Sequence, residues 1–166
     1  MPGRNALRRT LLAALVGAAL PGAALAQVGA NPQLILAGKH EGIRFTVYNT
    51  VSLDWGAVDE GTLRIAALPG SVVLGVKWNS PSITLAIRTG ETLEEVAAYH
   101  QERLTSQGFS LETRQEGSRQ ISAVLRRPGS TVGLTVEQSG NNTFRVTFNL
   151  TGERVRVVPP STGQGQ

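Results

Sequence analysis

Between residues 120 and 150, apolar side chains recur at every second position: Ile121, Ala123 and Leu125, then Val132, Leu134 and Val136, then Phe144, Val146, Phe148 and Leu150. A period of two belongs to a strand with one face buried and the other wet, because successive side chains point to opposite sides. Gly117-Ser118, Pro128-Gly129 and Gly140-Asn141-Asn142 punctuate the runs, and these residues adopt turn geometry at low cost. The spacing therefore predicts a four-stranded antiparallel meander over Phe109–Arg114, Gln120–Arg126, Val132–Glu137 and Phe144–Leu150. One face of that sheet must be covered.

The cover is written just upstream. From Leu93 to Gln107 the apolar period changes to that of a helix, with Leu93, Val96, Ala97, His100 and Leu104 on one face. Thr92 and Glu95 have the spacing of a capping box, and Gly108 supplies the stop. This amphipathic helix, about 92–107, is expected to pack across the C-terminal meander. Five further strands are expected at Leu34–Ala37, Ile43–Val51, Thr62–Leu68, Ser71–Trp78 and Ile83–Arg88, and a short one at Val155–Val158. The fold class is then α+β, antiparallel sheet with one helix.

Residues 83–150 so read as β-α-β-β-β-β. That order resembles the helix-grip or TATA-binding-protein-like arrangement, a likeness of element order that covers about half of the chain after its first 26 residues and brings no function with it.

Those first 26 residues have the three parts of an export signal: Arg4, Arg8 and Arg9, an apolar stretch from Leu11, and the Ala24-Leu25-Ala26 cleavage pattern after Pro21-Gly22. The expectation is cleavage after Ala26, a leader at 27–33, one domain at 34–158, a disordered tail at 159–166, and a periplasmic or secreted destination. Arg8-Arg9 also fits a twin-arginine route. The chain has no cysteine, which removes a lipidated N-terminus, a disulfide and any thiol chemistry. Three of the sixteen basic residues lie in the signal, leaving thirteen against twelve acidic ones. So small an excess does not make a nucleic-acid-binding stripe.

Candidate sites are few. Asp54, Trp55, Asp59 and Glu60 form an acidic loop with an indole, a set that suits a cation or a sugar ring. His100 stands in the apolar helix face, where a packed side chain with one nitrogen bonded to backbone is the expected state and a buried acid or base the functional alternative. His40 with Glu41 reads as an exposed turn. Arg126 and Arg145 belong to a partly basic sheet face able to meet an acidic partner, an anionic glycan or a lipid headgroup, or simply to face water. Two separated histidines make no zinc spacing, no Gly-x-Ser-x-Gly elbow exposes a serine, and no glycine-rich stretch ends as a phosphate loop. No metal or cofactor is expected.

The resulting functional expectation is a non-enzymatic interaction module of the bacterial envelope, with an envelope protein or glycan as partner. One alternative is a small-ligand carrier with a cavity around His100, Leu104, Phe144 and Phe148. The other is a hydrolase using two carboxylates of the 54–60 loop.

Overall fold

The computed structural model describes residues 33–49, 59 and 61–152. The expected signal, most of the leader, Asp54, Trp55, Glu60, the strand at Val155–Val158 and the tail lie outside these. The elements are β1 (Leu34–His40), β2 (Ile43–Tyr48), β3 (Thr62–Ala66), β4 (Val72–Asn79), β5 (Ser82–Arg88), α1 (Leu93–Thr105), β6 (Ser110–Glu116), β7 (Gln120–Arg127), β8 (Ser130–Gly140) and β9 (Thr143–Gly152). Antiparallel sheet dominates and a single helix accompanies it, an α+β composition. No helix among the described residues is long and apolar enough to cross a membrane.

The larger sheet has six strands in the order β4-β5-β9-β8-β7-β6, all neighbours antiparallel. Register turns the alternating runs into continuous rows. Ile83 faces Phe148, which faces Leu134, which faces Ala123; Leu85, Val146, Val136 and Ile121 make the next row. All of these side chains are buried. The opposite face carries Thr84, Thr147, Thr135 and Ser122 in one row, with Thr84 and Thr147 hydroxyls 3.3 Å apart.

Helix α1 begins with the capping box foreseen. The Thr92 hydroxyl accepts from Glu95 N–H at 3.3 Å, and a Glu95 carboxylate oxygen accepts from Thr92 N–H at 2.7 Å. Its buried stripe is Val96, Ala97, His100 and Leu104, and its nearest strands are β8, β7 and β6. Arg114 of β6 holds its outer side through Glu94, 2.6 Å, and Gln101, 3.2 Å. The helix stops at Thr105, two residues early, because Gln107 and Gly108 N–H turn to the carbonyls three residues back and Gly108 takes φ +86°.

Gln107 has other work. The small sheet has the order β1-β2-β3, with β1 antiparallel to β2 but β2 parallel to β3. This corrects the antiparallel expectation: a period of two reveals which face of a strand is buried and nothing of its direction, and thirteen residues separate Tyr48 from Thr62, enough for a crossover. The outer edge of β3 is then closed by side chains. Arg64 N–H donates to Gln107 Oε1 at 2.7 Å, Gln107 Nε2 donates to the Arg64 carbonyl at 2.8 Å, and the Tyr99 hydroxyl donates to the Ala67 carbonyl at 3.2 Å.

Arg127 ties the layers together. It is only 6% exposed, although it is the residue after the last one expected in its strand. Its guanidinium lies 4.3 Å from the Phe109 ring centroid and donates to Thr62 O at 2.8 Å, Gln107 O at 3.1 Å and Ser130 Oγ at 3.0 Å. Both sheets and the helix contribute to one buried core.

Candidate functional site

Of the residues singled out in the sequence, Asp59 is the one member of the acidic loop among the described residues. Its side chain is exposed and 3.8 Å from Arg44 Nη2, a solvated pair. Asp54 and Glu60, the carboxylates with which it would form a hydrolase pair, lie outside the described residues. His100 is 2% exposed, its ring edge-on to Phe148 at 5.5 Å between centroids, and burial pushes its pKa down to about 3. Its Nε2 has no hydrogen-bond partner, so the imidazole is neutral and acts as an aromatic wedge. Leu104, Phe144 and Phe148 are equally buried around it, packing that weighs against a ligand cavity there.

Arg126 and Arg145 lie on the open face of the larger sheet, but each meets an acid. Arg126 Nε is 3.1 Å from Glu112, and Arg145 Nη1 is 3.0 Å from Glu137. Cross-strand pairing thus neutralises much of the basicity that the sequence concentrates in this half. A shallow cleft of about 370 Å³ at one end of the face is lined by Arg119, Gln120, Glu137, Gln138, Ser139 and Arg145. Its lining is polar, two arginines against one glutamate, with no aromatic wall.

A different surface stands out, and it was not foreseen. Among the described residues the large apolar side chains left exposed are Leu34, Ile35, Val72, Leu74, Trp78 and Leu111, and five of these six sit on β1 and β4. Both strands are sheet edges. Their C-terminal ends come together. The Phe45 ring, on β2 opposite Gly38 of β1, meets Trp78 of β4 edge-on at 5.1 Å. The Ser80 hydroxyl, after β4, lies 2.8 Å from His40 Nδ1 at the end of β1. Gly38 leaves room for the Phe45 ring, since a Cβ there would overlap Phe45 Cζ.

The two edge strands together make a flank whose exposed apolar side chains point to different faces: Val72 lies opposite Arg88 on the open face, Trp78 opposite Ile83 in the core row, and Leu34 opposite Tyr48 on the outer face of the small sheet. Val72 is 58% exposed and Trp78 is 41% exposed, its indole steadied on one side by Phe45. The signal for it was present in the sequence as unalternated apolar triplets, Leu34-Ile35-Leu36 and Val72-Val73-Leu74. A strand buried on both faces also reads as such a run, so the pattern alone does not say edge.

The neighbouring Ser80, His40 and Glu41 line up as hydroxyl, imidazole and carboxylate. They do not make a nucleophile relay: His40 Nε2 stands 3.9 Å from Glu41 Oε2, beyond hydrogen-bond reach, and that oxygen already accepts from Gly152 N–H at 3.0 Å. The three residues join two turns and the end of β9. Among the described residues no group of His, Asp and Glu is placed to hold a metal ion.

Compared with known proteins, the chain matches no family model, no curated protein and no solved structure.

Proposed function

We propose that this chain is an exported, non-enzymatic interaction module of the bacterial envelope, and that it binds through the β1/β4 flank. The observation that carries the reading is that Leu34, Ile35, Val72, Leu74 and Trp78, exposed large apolar side chains, all belong to the two edge strands β1 and β4. Contiguous exposed apolar surface is costly to solubility and marks contact sites. The helix-grip-like order of β5, α1 and β6–β9 serves in this reading as a rigid scaffold, with its helix and meander forming the core and leaving contact to the edges. The part of the open face where Arg126 and Arg145 are paired with acids is the non-binding side. Export rests on the Arg4–Ala26 pattern and puts the flank where envelope components are the available partners.

Sedimentation of the purified chain with isolated envelopes tests this. Binding is expected for the wild type and is expected to fall at least tenfold in a Leu74→Lys/Trp78→Ser variant, the equivalent of ~1.4 kcal/mol. An Arg126→Gln/Arg145→Gln variant is expected to bind normally. The reverse sensitivity would transfer the site to the polar face.

A further inference from the structure

We propose that the β4 edge of the larger sheet takes the β6 edge of a second copy of this chain, so that copies join head to tail through one continuous sheet. The inference rests on β4 being a contact strand and names its partner.

The first argument is strand direction. β4 and β6 are the two ends of the six-stranded sheet. Every neighbouring pair is antiparallel, so the five reversals between them leave the two edges running in opposite directions. A second copy with its open face turned the same way therefore offers β6 antiparallel to β4. Each edge has a register irregularity near its start, at Val73/Gly75 in β4 and at Leu111/Thr113 in β6. Such bulges blunt an edge. They leave residues 76–79 and 113–116 regular, and in an antiparallel match the two bulges fall beyond opposite ends of that stretch. Gly117 N–H donates to the Gln120 carbonyl at 2.7 Å, so by alternation Glu116 and Arg114 turn their backbone groups away from β7. On β4, alternation from the two-residue turn Ser80-Pro81 turns Trp78 and Val76 outward in the same way.

The second argument is that one register suits backbone and side chains together. It sets Trp78 opposite Arg114, Val76 opposite Glu116, Lys77 opposite Gln115 and Asn79 opposite Thr113. Trp78 and Arg114, which pair with Ile83 and Ala123 in their own sheet, share the core-facing side; Lys77 and Gln115, which pair with Thr84 and Ser122, share the open side. The exposed Trp78 indole then lies beside a guanidinium and within diagonal reach of Leu111, the exposed apolar side chain of β6. Charge agrees, since β4 carries Lys77 and no acid while β6 carries Glu112 and Glu116 with Arg114. Two β4 strands matched over the same regular stretch would instead set Lys77 opposite Lys77.

The chain has no cysteine, so introduced thiols report the pairing directly. Lys77→Cys/Gln115→Cys places them in a non-hydrogen-bonded pair, about 4.5 Å apart at Cα and within disulfide range. Within one copy the two positions stand at opposite edges, roughly 24 Å apart over five strand spacings, and cannot be linked. Oxidation of the purified chain is expected to give a ladder of dimers, trimers and longer products on a non-reducing gel, roughly tenfold more than Asn79→Cys/Gln115→Cys, which is out of register. Adding Glu116→Pro, which removes an outward N–H at an exposed edge position, is expected to abolish the ladder, with circular dichroism checking that the variant folds. Linking no better than the out-of-register pair would overturn the proposal. So would efficient dimers from Lys77→Cys or Gln115→Cys alone, which would mean like edges pairing. Failure to link while envelopes are still bound in a Leu74- and Trp78-dependent way would remove the second copy and leave the interaction module with another partner. A ladder without envelope binding would support the pairing and remove the envelope reading.

Discussion

Two buried polar residues set the behaviour of the molecule at the scale of single side chains. His100 is held neutral by burial, with its pKa pushed down to about 3, whereas the unfolded imidazole titrates near 6.5. Between those values the unfolded chain binds the extra proton, so stability is full above about pH 6.5 and falls as the pH drops, by up to ~1.4 kcal/mol per pH unit. Urea midpoints measured from pH 7 to pH 4 should show this acid limb in the wild type and a flatter one in His100→Phe. Arg127 bonds to three elements at once while its guanidinium covers Phe109. Arg127→Met is expected to lose ~3 kcal/mol in denaturant unfolding, and Arg127→Lys to recover little, since one ammonium does not span Ser130, Gln107 and Thr62. The helical period made the inward placement of His100 legible, but the lack of a partner for Nε2 depends on which atoms the sheet presents. Arg127 continues the period of Ile121, Ala123 and Leu125, and so was legible as buried had charge not been allowed to outweigh periodicity.

Among the elements, the meander and helix were readable because their signals are local: alternation, turn residues and a capping box within a few positions of one another. Pairing across long separations was not. β3 runs parallel to β2, and its free edge is completed by one amide side chain, Gln107, 43 positions away. Gln107→Ala leaves both the N–H and the carbonyl of Arg64 without these partners, and a loss of ~2 kcal/mol is expected. The Arg64 amide should exchange faster in the variant while the β8 amides keep their protection, a pattern that separates local edge opening from global unfolding.

For the whole molecule, the distribution of surface character matters more than its average. The near-neutral balance of the chain after Ala26 was legible from composition, and the pairing of Arg126 with Glu112 and of Arg145 with Glu137 makes it local. The apolar flank was not legible. It exists because β1 and β4, 38 positions apart from first residue to first residue, are both sheet edges whose C-terminal ends meet through Phe45, Trp78, His40 and Ser80. The open face carries Arg126 and Arg145 paired with acids, while the edge strands β1 and β4 carry exposed apolar side chains and one lysine each. The central claim is that the second of these is the working surface, and carbene footprinting of the chain with and without isolated envelopes tests it directly. Protection is expected at Leu34, Ile35, Leu74 and Trp78, with Thr135, Thr147 and Arg145 labelled equally in both states. Protection confined to the open sheet face, or none on either side, would contradict the account.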